Sequence, residues 1–243
     1  EAVKAVYESG KENLTPAQNK NITEMIKHFE LSGVHLPKEQ KRRLMEINLE
    51  ISQLSTDFAQ NVLKDTDSFE LIIDNPEDVD GIPEPDLKAA KCDEGWKLTL
   101  KLPSFLAYMT YGKNRDIRQK LYKAYSTRAP QNADIIEKLL KLKKESAEIL
   151  GFDRFSDLSL ETKNAPSPEA VINFLEDLAV KAGPQAAQEI SELKELAGFD
   201  GLQAYDTGFY SEKLRQIKCG YYKQKYRPYF ELHSVVGGLF SFI

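Results

Sequence analysis

Three histidines, two cysteines and one pair of helix carboxylates are the residues of this 243-residue chain whose types invite a chemical reading. His28, His35 and His233 do not form the H-E-x-x-H pattern, in which one helix face presents two imidazoles to a metal beside a general-base carboxylate. Even on an unbroken helix, His28 and His35 would stand about two turns apart, too far to share one ion at ~2 Å per bond. Gly33 and Pro37 also oppose a shared helix. Surface or local hydrogen-bonding roles are expected for all three. Glu46 and Glu50 fall at i, i+4, the spacing of a carboxylate-bridged metal site, but such sites in helical bundles also draw on Glu-x-x-His pairs, which the chain lacks. Beside Lys41, Arg42 and Arg43 they read as solvated carboxylates. Cys92 lies in a charged loop and Cys219 beside a glycine, and neither setting suggests a nucleophile. There is no P-loop and no G-x-G-x-x-G. The sequence nominates no catalytic, cofactor-binding or metal-ligating residue.

One segment could bind through charge and stacking. Lys213, Arg215, Lys218, Lys223, Lys225 and Arg227 alternate with Tyr221, Tyr222, Tyr226 and Tyr229, a pattern that neutralises and stacks on a single-stranded nucleic acid. Tyrosines packed into a helical core would account for the same residues. The whole chain carries a net charge of −5, which opposes general attraction to nucleic acid or an anionic membrane. Its charge is uneven: residues 65–86 hold nine acidic side chains and no basic one, and residues 213–230 hold six basic side chains and no acidic one. Such runs commonly form solvated faces or pair within the chain.

A composition of 41% hydrophobic and 29% charged residues fits a globular protein with a sizeable core. The length admits one elongated domain or two lobes. No window approaches ~18 consecutive apolar residues, so no membrane span is expected. Two cysteines far apart make no disulfide framework, and a reducing, cytoplasmic setting is expected.

The elements are mostly helical. Thr15, Pro16 and Gln18 spell a capped helix start, followed by Ile22, Met25, Ile26 and Phe29 on one face and Gly33 as a left-handed stop. Leu44, Ile47, Ile51, Leu54, Phe58 and Val62 mark one helix from about 38 to about 65, on the order of 40 Å long, whose stripe calls for an antiparallel partner. β-Branched and aromatic residues clustered at 68–74 and period-two alternation at 96–102 predict a small antiparallel sheet inserted at about 68–102, with a short helix near 86–91 between them. Helices resume through Ile117, Leu121 and Tyr125, then from Ile135 to Gly151. Another opens at Ser167-Pro168-Glu169 and should stop near Gly183-Pro184, and a further one carries Ile190, Leu193 and Leu196 to Gly198. Ser234 is the expected cap of a final apolar stretch ending at Ile243, where the chain reads as cut. The fold class expected is mainly α: a multi-helix body with long antiparallel helices and a small antiparallel β insertion.

Several stretches together resemble the family of oligopeptidase A and thimet oligopeptidase, which are zinc metallopeptidases. They are Leu31-Ser32-Gly33-Val34-His35-Leu36-Pro37, Asn61-Val62-Leu63-Lys64-Asp65-Thr66, and Leu102-Pro103-Ser104-Phe105-Leu106 with Met109-Thr110-Tyr111. Tyr122-Lys123-Ala124-Tyr125-Ser126-Thr127-Arg128-Ala129, Tyr210-Ser211-Glu212-Lys213-Leu214 and Arg227-Pro228-Tyr229-Phe230 complete the set. The bacterial branch is the most similar. One departure is Tyr205-Asp206-Thr207-Gly208-Phe209-Tyr210, where the family usually carries Trp-Asp followed by Tyr-Tyr or Phe-Tyr. The resemblance implies that residues 1–243 are the N-terminal helical portion of a larger cytoplasmic oligopeptidase. It implies one wall of a channel for short peptide substrates, with zinc held by a missing C-terminal catalytic half and no cofactor in this portion. The rival expectation is a non-enzymatic helical module that binds a protein or RNA partner through residues 213–230.

Overall fold

The computed structural model describes residues 2–10, 13–220 and 226–243. The chain divides into two compact units, Glu1–Gln60 with Gln131–Glu176, and Asn61–Pro130 with Asp177–Ile243.

The first unit opens with α1 (Ala2–Gly10) against α2 (Pro16–Leu31). The N-terminus of α2 is closed by a reciprocal box: the Gln18 backbone N–H donates to Thr15 Oγ1 at 3.3 Å, and the Thr15 N–H donates to Gln18 Oε1 at 3.0 Å. Its exit turns through Gly33 at φ 78°, where a Cβ would lie 2.8 Å from the side chains of Leu36 and Leu44. Only glycine meets both demands. Next comes α3 (Lys38–Ser68), 31 residues long, so its axis runs ~46 Å. Leu44 and Ile47 are buried, and Ile51, Leu54 and Phe58 are half-buried on the same stripe.

The partner is α7 (Asn132–Ile149), and contacts at its two ends fix its direction. Arg43 Nε and Nη2 donate to the Glu145 carboxylate at 2.6 and 2.7 Å, while Asn132 Nδ2 donates to the Phe58 carbonyl at 3.1 Å. The early part of α3 therefore meets the late part of α7, and the later part meets its start, which is an antiparallel pair. The buried residues of α7 are Asn132, Leu142, Ser146 and Ala147. The short α8 (Phe155–Leu160) packs on α7, and Arg154 ties it by ion pairs to Asp157 and to Glu169 at the start of α9 (Pro168–Ala197).

In the second unit a three-stranded antiparallel sheet, in the order β1-β3-β2, is built from β1 (Glu70–Ile73), β2 (Lys91–Cys92) and β3 (Gly95–Thr99). The register pairs Leu71 with Leu98 and Ile73 with Trp96, so these four share one face. That face joins the core of Val79, Ile82, Leu100, Phe105, Tyr108, Met109, Ile117 and Leu121. Gly95 is required where the hairpin returns: at φ 134° its Cβ would fall 2.2 Å from the Ile73 carbonyl oxygen. The core is completed by α4 (Glu84–Ala90), α5 (Leu102–Tyr111), α6 (Arg115–Ser126) and α10 (Ala204–Cys219), with α10 packed on both α5 and α6. Asn114 caps α6 by accepting from the N–H groups of Asp116 and Ile117, and its Nδ2 donates to Asp78 at 2.7 Å. The last helix is α11 (Leu232–Phe242).

Four details differ from the sequence expectation. The sheet has a third strand, β2, which holds Cys92 in a strand and not in a loop; two residues are too few for a periodic signal. The two helices expected on either side of Pro184 are one continuous α9. Proline there removes the bond to the Val180 carbonyl, but residues 172–191 are all exposed, so water can satisfy that oxygen. The cap of α11 is Glu231, whose carboxylate accepts from the His233 and Ser234 N–H groups at 3.0 and 2.7 Å; Ser234 lies inside the first turn. The strand expected as far as 102 ends at Thr99, since Leu102-Pro103 already opens α5.

Candidate functional site

The chemistry-bearing residues of the sequence do not meet. His28 lies in the last turn of α2, His35 in the α2–α3 turn and His233 in the first turn of α11, all exposed. Among the described residues no group of three or more His, Cys, Asp or Glu side chains could hold a metal ion. Glu46 pairs with Arg42 and Arg43 at 3.7 and 3.6 Å, and Glu50 is exposed on the same helix. Both described cysteines carry free thiols. Among the described residues no donor set fits a zinc ion of the kind that the family resemblance implies.

The basic segment is partly spent within the chain. Lys218 pairs with Glu192, Arg215 with Glu212, and Lys213 lies 4.3 Å over the Phe209 ring. Tyr226 and Tyr229 are 41% and 82% exposed, so these two are not core tyrosines. Residues 221–225, with Tyr221, Tyr222, Lys223 and Lys225, lie outside the described residues.

The strongest polar constellation was not nominated by the sequence. Asp206, in the first turn of α10, is 0% exposed, and the Arg118 side chain on α6 is 1% exposed. Arg118 Nη2 donates to Asp206 Oδ1 at 2.9 Å, while its other nitrogens donate to the carbonyls of Gly112, Lys113 and Tyr205 at 2.8, 3.0 and 3.2 Å. Arg115 adds Nη2 to Asp206 Oδ2 at 2.8 Å, and the Gln203 N–H adds another bond at 3.1 Å. Burial alone would push the Asp206 carboxyl up; the Arg115 and Arg118 hydrogen bonds outweigh it and hold its pKa below the ordinary value. Sealed from solvent and spent on two guanidiniums, this carboxylate is not open to a substrate. Its work is to bolt α6 to α10 and fix the rings of Phe209, Tyr205 and Phe199 under the two guanidiniums. Around it, burial and then the charges of Lys113 and Arg118 lower the Lys213 ammonium. The Arg-x-x-Arg spacing at 115 and 118 was the available signal, since i, i+3 places both on one helix face.

Comparison with known proteins bears on what this scaffold belongs to. The sequence pattern described as peptidase family M3 matches residues 108–243, more than half of the chain. Oligopeptidase A of Haemophilus influenzae is 39% identical over 93% of this chain, and that match covers 36% of its own length. Oligopeptidase A of Escherichia coli K12 is 38% identical over 95% of this chain and 37% of its own length. The Escherichia coli dipeptidyl carboxypeptidase is more distant, at 26% identity over 96% of this chain and 37% of its own length. The chain thus spans just over a third of the relatives it matches.

Proposed function

This chain belongs to peptidase family M3, and from that premise we propose that it is the amino-terminal helical portion of a zinc-dependent oligopeptidase that hydrolyses short peptides. The observation that carries the reading is the co-linear match to oligopeptidase A at 38–39% identity over 93–95% of this chain. On this reading the chain is scaffold: it supplies one wall of the substrate channel, and the metal and hydrolytic groups belong to the part of the parent outside residues 1–243. Two apolar surfaces support a seat for that part. Along α9, Phe174, Leu175 and Leu178 are 64, 51 and 49% exposed, and on α11 Phe240 and Phe242 are 75 and 90% exposed. Large apolar side chains exposed to this degree suit an interaction face. The free thiols of Cys92 and Cys219 suit the cytoplasm. No helix among the described residues is long and apolar enough to cross a membrane.

The rival reading, a partner-binding or RNA-binding module using residues 213–230, is not favoured, because Lys213, Arg215 and Lys218 are already engaged within the chain. The test is made on the full-length product of the natural coding sequence. It should hold stoichiometric zinc and cleave a quenched fluorescent peptide in a chelator-sensitive way, while residues 1–243 alone do neither. A full-length product that cleaves peptides equally well after its metal is stripped would overturn the proposal.

A further inference from the structure

A cleft of about 350 Å³ opens in the second unit between α4, β3 and α5, apart from every residue discussed above as a catalytic or metal candidate. Its floor is apolar: Leu87, Ala90, Pro103 and Ala107 are open to it, over the buried Leu98 and Tyr108. The polar groups near that floor are already committed. The Tyr108 hydroxyl donates to the Asp78 carbonyl at 2.6 Å, and the Thr99 N–H donates to Ser104 Oγ at 3.0 Å. An entering group therefore meets hydrocarbon and ring surface without displacing a hydrogen bond. The rim is cationic, with Lys91, Lys97 and Lys101 against one carboxylate, Asp86. Lys97 and Lys101 lean on Glu70 and Asp67 in exposed pairs of 2.9 and 3.3 Å, which are weak and easily re-aimed. Lys91 has no carboxylate partner among the described residues; its ammonium rests 4.3 Å from the centroid of Trp96, itself a lining residue.

An apolar floor under a lysine-rich rim is complementary to a small molecule with a hydrocarbon tail and one negative head. We propose that this cleft binds an apolar monocarboxylate of about octanoate size, its tail on the floor and its carboxylate drawn to Lys91, with Lys101 in support. The size follows from the volume, near the low end of ~300–1,000 Å³ for small-molecule sites. The inference does not rest on the peptidase reading, since no residue of the cleft is assigned to hydrolysis.

The molecule carries its own reporter. Trp96 is the chain's single tryptophan, and a bound carboxylate would pull Lys91 off its ring. Octanoate, kept below its micelle concentration, is titrated into residues 1–243 while Trp96 emission is followed. A saturable change is expected, with octylamine and acetate at least tenfold weaker, because one has the wrong charge and the other lacks the tail. Lys91→Glu should weaken octanoate at least tenfold, and Ala107→Leu, which fills the floor, should weaken it similarly without altering charge. If Lys91→Glu perturbs the hairpin, Lys101→Glu tests the charge requirement from the other rim. The proposal is overturned if octanoate gives no saturable change, if octylamine binds as well as octanoate, or if the folded charge variants bind octanoate as the parent chain does.

Discussion

Replacing Arg118 by alanine tests how the second unit is held. The wild-type guanidinium satisfies Asp206 and three backbone carbonyls at a position where both side chains are sealed from water. Its removal leaves a buried carboxylate with Arg115 as its remaining charged partner, strands those carbonyls and opens a space over Phe209. Breaking one side of a buried pair costs about 3–5 kcal/mol. Arg115→Ala should cost less, about 1–3 kcal/mol, because Asp206 keeps Arg118 and the Arg115 side chain is 43% exposed. The assay is urea unfolding followed by Trp96 emission, which reports the unit containing the pair. The pH dependence gives a second reading. The folded Asp206 has a depressed pKa, so it binds its proton more weakly than the unfolded chain does, and the stability it contributes is full above the ordinary value of 3.8. That contribution is lost as pH falls below ~4 towards the folded pKa, so the gap between wild type and Asp206→Asn should close in acid. An Arg118→Ala chain within 1 kcal/mol of wild type, or a gap that widens below pH 4, would show that the pair is not the clamp described.

Other outcomes follow from single contacts. Ile47, 0% exposed in the α3 seam, should cost about 2–5 kcal/mol on truncation to alanine, whereas exposed Glu50→Ala should stay within about 0.5 kcal/mol; matched thermal melts by circular dichroism compare them. In the first unit Arg43→Ala breaks a pair whose side chains are 42% and 39% exposed and should cost no more than about 1 kcal/mol, without moving the Trp96 transition. Gly95→Ala, forced against the Ile73 carbonyl at a positive φ, should cost roughly 1–3 kcal/mol or more and shift Trp96 emission. Pro184→Ala should raise helix content and stability, by up to about 3 kcal/mol, as it restores the missing bond in α9. A loss of stability would mean that proline is needed there.

Much of the fold was legible because its signals are local. The Thr15–Gln18 box, the left-handed Gly33 and the stripe from Leu44 to Val62 each act over a few residues, and each stands in the structure as the chemistry requires. The antiparallel pairing of the 68–74 and 96–102 windows was legible too, since both lose the helical period, and it stands as Glu70–Ile73 against Trp96–Thr99. What escaped depends on partners or on solvent. Proline's penalty in α9 is set by whether water reaches one carbonyl, and sequence alone cannot report that exposure. Glu231 outcompetes Ser234 as a cap because its carboxylate reaches two N–H groups at once, a choice decided by where the chain enters the helix.

The sites were less legible than the fold, for a different reason. The residue types that carry chemistry are scattered: the histidines lie on three separate segments and the cysteines on a strand and a helix end. The groups that do converge are ordinary by type. Arg115 and Arg118 stand some 90 positions from Asp206 in the chain, and the three become a constellation only because α10 packs on α6. The cleft likewise gathers leucine, alanine and lysine from α4, β2, β3, α5 and the turn before α5, residues that in sequence mark a small sheet with charged turns. Their meaning comes from the register of β3, which sends Trp96 and Leu98 inward while Lys97 and Thr99 face outward. A shift of one residue would turn the lysine into the core and the tryptophan to water. The same register therefore fixes both the core of the second unit and the composition of its cleft, so a variant that slips β3 must lose stability and octanoate binding together.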